Sequence, residues 1–247
     1  MNKTFFPFFL FLFFSSIKLQ AQLIVGAPAE KKYKFSEVYN PDYGINIYEK
    51  LIAMLGGDSI RNDKRGYAAQ GWMEDHYESG KLMHKGYYAD GKIKLFKNFY
   101  ENGQVERDYK LTDLLKSRMN IFYEDGKPRA EIEYNEESVL KEVDYYSNGN
   151  IEYTEEMSKG FDYLLYRKSF YEDGKPESVF ELTDKKKRIY SKKEYYTNGN
   201  LKEEGAMIYN ESSLDYIKEG SWKTYNEAGQ LLTEDIYIGG EFNKKVK

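Results

Sequence analysis

The sequence predicts an all-β protein, an elongated antiparallel meander of consecutive hairpins with a short N-terminal helical cap. Three observations predict it. A Tyr-x-x-Gly motif recurs along most of the chain on a pitch of 23 to 25 residues. Apolar and aromatic stretches of strand length, such as IKLFKNFY (93 to 100) and DYLLYRKSFY (162 to 171), lie between the copies. The composition combines 25 Tyr with 32% charged residues and no Cys, which suits half-buried strands with an aromatic on one side and a charge on the other.

The first element, residues 1 to 21, reads as a secretory signal. Lys3 opens it, an apolar run extends from Phe5 to Phe14, and Ala21 offers the small residue of a cleavage site. The run is well short of the ~20 residues that span a bilayer. Cleavage there removes Lys3 and Lys18 and no acid, leaving 35 basic against 41 acidic residues, a net charge of −6. That sign argues against nucleic acid as a partner and against attraction to anionic lipid. Without cysteine there is no disulfide, no thiolate nucleophile and no lipidated N-terminal Cys. The expected location is therefore periplasmic or extracellular.

Residues 22 to 65 lack the pitch and read as a capping segment. NPDYGINIYEKLIAMLGG (40 to 57) predicts a helix over about 41 to 55, with Asn40 as N-cap, Pro41 at the first position and Gly56 just past the end. Tyr48, Leu51, Ile52 and Leu55 form its apolar stripe. An open array needs its terminal strands shielded, and a cap over the first hairpin supplies that.

Residues 66 to 243 carry the repeats, followed by a basic tail, 244 to 247. Tight turns are expected at Gly80, Gly103, Gly126, Gly149, Gly174, Gly199 and Gly229, the last with one residue inserted, and another at Gly91. Asp-Gly and Asn-Gly pairs suit a type I′ turn, which needs positive φ at both central residues. Looser turns fall midway, including LTDLLKS, YNEES, EMSKGFD, LTDKKKR and YNESSLD. In a meander every second turn lies on the same edge, so the pitch-spaced glycines line one edge and the variable turns the other. Tyr77, Tyr100, Tyr123, Tyr146, Tyr171 and Tyr196 then share one face, and His76, Phe99, Phe122, Tyr145, Phe170 and Tyr195 the other. Both aromatic rows serve packing first. A single-layer sheet cannot bury both, which leaves the six Tyr as a possible binding face.

The Tyr-x-x-Gly-Lys turns, with GWMEDHYESGKLMHKGYYADGKIK (71 to 94) and GSWKTYNEAGQ (220 to 230) as the best stretches, resemble the bacterial MORN-variant repeat common in proteins labelled YwqK-type antitoxins. The resemblance covers residues 66 to 243. It implies an elongated sheet of hairpins and a role in protein or membrane association, with an antitoxin or immunity role as one form. The 25- and 30-residue periods late in the chain depart from it.

No catalytic constellation stands out. The two histidines, His76 and His84, flank one turn near Glu74 and Asp75, and a metal site there is the minor reading because His76 fills a slot that other repeats give to Phe or Tyr. Acid pairs such as Glu124-Asp125 and Glu172-Asp173 lie in turns and point apart, and the run Lys185 to Arg188 sits in a loose turn of an acidic chain. No cofactor is expected. The expected function is a non-enzymatic exported scaffold for an envelope or secreted protein, with neutralisation of a toxic partner and glycan binding along the Tyr rows as alternatives. Loops 110 to 117, 158 to 162 and 184 to 188 are the expected specificity elements.

Overall fold

A computed structural model of the protein describes residues 32–247, so the expected signal peptide, 1 to 21, lies outside the described residues. The described residues build fifteen strands in one antiparallel sheet whose spatial order is the chain order. They are β1 (Gly71–His76), β2 (Leu82–Ala89), β3 (Lys92–Phe99), β4 (Val105–Asp113), β5 (Lys116–Phe122), β6 (Pro128–Asn135), β7 (Ser138–Tyr145), β8 (Ile151–Met157), β9 (Leu164–Phe170), β10 (Pro176–Asp184), β11 (Ile189–Tyr195), β12 (Leu201–Asn210), β13 (Asp215–Tyr225), β14 (Leu231–Ile238) and β15 (Glu241–Lys245). Residues 239 to 245 thus turn back at Gly239 and Gly240 and extend the meander by a strand, where the sequence suggested only a tail from 244.

The pitch-spaced glycines do line one edge and the variable turns the other. The tight turns, however, are not type I′. At residues 123 to 127 the Gly126 amide donates to the Tyr123 carbonyl at 2.8 Å and the Tyr123 amide to the Lys127 carbonyl at 2.9 Å, and the same pair of bonds recurs at each tight turn. The glycine has positive φ, +85° at Gly126, while Asp125 does not. This is a three-residue loop, a type I turn closed by a glycine in the left-handed region, so only the glycine is conformationally obligatory. The two-residue type is found at Asp90-Gly91, where both φ angles are positive, +51° and +74°. At Gly229 no residue is inserted: Asn226 stands in the Tyr slot, its amide donating to the Gln230 carbonyl.

The expected helix over 41 to 55 is replaced by tighter turns. One helical turn, α1 (Phe35–Val38), precedes that stretch, and two short 3₁₀ turns, Glu49–Leu51 and Ala53–Leu55, lie within it. Asn40 caps a local loop instead of a helix: its Oδ1 accepts the amides of Asp42 and Tyr43, and its backbone exchanges two bonds with Gly44. Side chains of the sheet then claim the next peptide unit, because Glu106 accepts the Ile45 amide at 3.0 Å and Asn98 donates to the Ile45 carbonyl at 2.9 Å. Those groups are unavailable to an i to i−4 ladder, and propensity yields to tertiary contacts. Gly56 keeps its expected role as a left-handed terminator, with φ +74°.

The N-terminal segment lies across the sheet face instead of capping the first hairpin alone. Val38, Ile45, Tyr48, Leu51 and Ile52 form one core with Met83, Tyr88, Phe96, Tyr109, Met119 and Ile132, reaching as far as Val139 on β7. Cross-strand partners place Asp75, His84, Asn98, Arg107, Ile121, Ala130 and Asp144 on this same inner face. Tyr33 also bridges Tyr77 beside β1. Beyond β7 the inner face holds a small second cluster of Leu164, Phe180 and Tyr190, and Trp222 packs over Gly205, where any Cβ would collide with its ring.

Candidate functional site

The six motif tyrosines form a ladder along the tight-turn edge. Each hydroxyl donates to a backbone carbonyl of the next repeat: Tyr77 to Phe99, Tyr100 to Phe122, Tyr123 to Tyr145, Tyr146 to Phe170, Tyr171 to Tyr195 and Tyr196 to Tyr225, at 2.6 to 2.9 Å. The turn explains the aim. Tyr123 bonds across to Lys127, so the flanking Phe122 and Pro128 form a non-bonded pair and the Phe122 carbonyl points out of its own hairpin toward the preceding repeat. Proline is tolerated there because that position has no cross-strand donor to lose. Burial raises the phenols of Tyr77 and Tyr100, which keeps them protonated as donors.

The turn side chains add a second tie. Asn102, Asn148 and Asn198 donate to the carbonyls of Glu124, Glu172 and Glu227. The turn lysines are tethered as well, with Lys127 donating to the Ser147 carbonyl and pairing with Asp125. The basic run is also engaged locally, since Lys185 lies over the Tyr163 ring and Arg188 over Tyr209.

The two histidines part company: His76 ends β1 opposite Leu82 and is half-buried, whereas His84 lies inside the core. His84 is buried, stacked on Tyr48 at 3.7 Å, with its ring nitrogens at 2.8 Å from Asn98 Oδ1 and Tyr88 Oη. Burial lowers its pKa to about 4, so it is neutral at pH 7. Asp75 is held by a bidentate bond from Arg61 and by the Tyr48 hydroxyl. Among the described residues no three His, Cys, Asp or Glu side chains converge as a metal site.

A regularity absent from the sequence motif organises the inner face. In every tight-turn hairpin the register slips by one residue just after the turn, leaving Met83, Glu106, Arg129, Glu152, Glu177, Lys202 and Leu232 as bulge residues. A bulge re-aims a side chain. The first three of the row meet the N-terminal segment: Met83 is buried in its core, Glu106 accepts the Ile45 amide, and Arg129 donates to the carbonyls of Pro41 and Asp42 at 2.9 and 2.6 Å. From Glu152 onward the row is exposed.

Where the cover stops, a groove of about 520 Å³ opens over β4 to β8. Met119, Ile121 and Ile132 supply apolar surface, and Tyr39, Tyr43, Tyr123, Tyr134 and Tyr145 line it. Its charged residues are Asp42, Glu49, Glu142, Asp144 and Glu152 against Arg107 and Arg129, a net of −3. Both arginines are committed, Arg107 to Glu49 and the Tyr43 carbonyl and Arg129 to the carbonyls above. The carboxylates of Glu142 and Asp144 make no hydrogen bond or ion pair among the described residues, although the Glu142 backbone carbonyl accepts the Thr154 hydroxyl. Burial, with Asp144 and Glu155 nearby, raises Glu142 to about 7; burial and Glu152 raise Asp144 to about 6 against the pull of Arg129. Sequence reasoning missed both, because its acid pairs were sought in turns. A signal was present, since two acids separated by one residue in a strand share a face.

The opposite face offers an apolar strip, with Trp72, Tyr87 and Leu95 side by side and exposed. No curated protein matches the chain. The family model of the MORN repeat variant matches residues 118–136, 192–207 and 218–238. Each matched segment contains one tight turn with strand on both sides. Over these three hairpins, whose turn geometry the other four repeat, the chain is similar to the MORN repeat variant.

Proposed function

We propose that the protein is a non-enzymatic, exported repeat scaffold that binds another protein on the uncovered half of its inner face. One observation carries this reading: the same bulge row that holds the protein's own N-terminal segment at Met83, Glu106 and Arg129 continues, exposed, through Glu152, Glu177, Lys202 and Leu232. A face built to hold a chain over its first half presents the same device over its second. The N-terminal signal pattern supports export, and the partner is then an envelope or secreted protein; neutralising a toxic partner is one form such binding takes. The Tyr ladder favours a protein over a glycan, because its hydroxyls are already donated within the sheet.

The test is capture of the partner from the native envelope by the full chain. Exchanging loops 110 to 117, 158 to 162 and 184 to 188 is expected to leave capture intact, and Glu177→Lys with Lys202→Glu to abolish it. Capture lost with the loops and kept with the bulge-row variant would move the site to the variable edge.

A further inference from the structure

Resting on that reading, we infer that the groove and the inner face of β7 to β10 receive an extended basic segment of the partner protein, with a Lys or Arg side chain seated between Glu142, Asp144 and Glu152. The template is internal. Residues 41 to 45 are held through their backbone, with Glu106 accepting the Ile45 amide, Asn98 donating to its carbonyl, and Arg129 donating to the carbonyls of Pro41 and Asp42. Glu152 and Glu177 occupy the bulge position of Glu106 one and two hairpins past Arg129, so each presents a carboxylate to a passing amide as Glu106 does.

The groove chemistry selects the side chain. A carboxylate taken part-way out of water seeks a cation or a proton. Glu142 faces Glu155 across the strand pair with Asp144 beside it, Asp144 pairs with Tyr153 next to the bulge residue Glu152, and the cover adds Asp42 and Glu49. The cations nearby are already bonded: Arg107 to Glu49 and the Tyr43 carbonyl, Arg129 to the carbonyls of Pro41 and Asp42, and Arg167 on β9 to Glu155. Tyrosine rings on the walls favour an ammonium or guanidinium further. Groove-lining residues run from β4 to β8, four strand spacings or about 19 Å, which matches five or six residues of extended chain and exceeds a free amine.

The test uses the full, isotopically labelled chain, titrated in NMR with a blocked hexapeptide alternating Lys and Leu and with the same peptide carrying Gln for Lys. At pH 8 the Lys peptide is expected to shift amides of β6 to β8 and of residues 41 to 43, and the Gln peptide to bind at least about tenfold more weakly. At pH 5.5 the Lys peptide should weaken about tenfold, as Glu142 and Asp144 take up protons that the bound cation displaces. The double variant E142Q/D144N should bind the Lys peptide no better than the Gln peptide while its unfolding midpoint stays at or above that of the parent. Equal binding of the two peptides, no shift in these amides, or a double variant that binds as the parent does would overturn the inference. If envelope capture persists under those results, the scaffold reading stands and the basic segment falls; if nothing is captured although the Lys peptide binds, the protein-partner reading falls and takes the assigned occupant with it.

Discussion

Removing the hydroxyl of a motif tyrosine should uncouple two neighbouring hairpins without disturbing either turn. Tyr100→Phe is the sharpest case, since Tyr100 is 2% exposed and its hydroxyl donates to the Phe122 carbonyl at 2.8 Å. The ring and its packing on Phe35 and Tyr39 remain. What is lost is one hydrogen bond, and a carbonyl is left without that donor in a buried setting, for a cost of about 2 kcal/mol. Tyr171→Phe removes the equivalent bond to the Tyr195 carbonyl at a half-buried site where water substitutes, so about 1 kcal/mol is expected. In thermal unfolding these correspond to roughly 4 to 8 °C and 2 to 4 °C for a chain of this size. Urea unfolding with unchanged m-values is the assay, and hydrogen exchange should localise the loss to the hairpin following the substituted tyrosine. Both variants within about 0.3 kcal/mol of the parent, or Tyr171→Phe costing more than Tyr100→Phe, would refute the ladder as an inter-repeat coupling.

Three further outcomes follow from the same contacts. Gly44→Ala places a Cβ against Glu106 Oε1 at a φ of +67°, so it should destabilise by about 2 kcal/mol or more and release protection of amides 40 to 45 in hydrogen exchange. His84 has a folded pKa of about 4, below its unfolded value; its neutral form therefore stabilises the fold fully above pH 6.5, and about 3 kcal/mol should be lost as pH falls from 6.5 to 4, a slope that His84→Gln flattens in urea unfolding. Glu142 and Asp144 have the opposite sign: their folded values of about 7 and 6 lie above the unfolded ones, so their contribution is complete below about pH 4 and lost as pH rises through 6 and 7. E142Q/D144N should accordingly stabilise at pH 8 by about 2 kcal/mol after allowance for solvent screening, and leave stability at pH 4 unchanged.

The meander and its edge assignment were legible because the Tyr-x-x-Gly pitch fixes the turn positions. Turn type was misread, since Asp-Gly and Asn-Gly suit two geometries and the bond from Tyr123 N to Lys127 O, which decides between them, is not a local propensity. The helix over 41 to 55 failed for a related reason: Glu106 and Asn98, more than fifty residues away in sequence, take the Ile45 peptide groups that a helix requires. The tyrosine ladder was hidden because a donor and its carbonyl lie 22 to 29 residues apart. The bulge row was invisible altogether. Its members are Met, Glu, Arg, Glu, Glu, Lys and Leu, and only the register slip shows that they are equivalent. The candidate site was therefore the least legible part: its carboxylates sit on the same strand face, but the edge of the cover, which half-buries them, is a tertiary fact.

The central claim is that the exposed part of the bulge row docks a partner. A photo-crosslinking residue introduced at Glu152 or Glu177, on the inner row, and at Val179 or Lys193, cross-strand partners on the opposite face of β10 and β11, in the native envelope tests it most directly. An adduct with one protein from both inner positions and none from the outer pair is the expected result. Adducts from Val179 and Lys193 with none from Glu152 and Glu177 would contradict it.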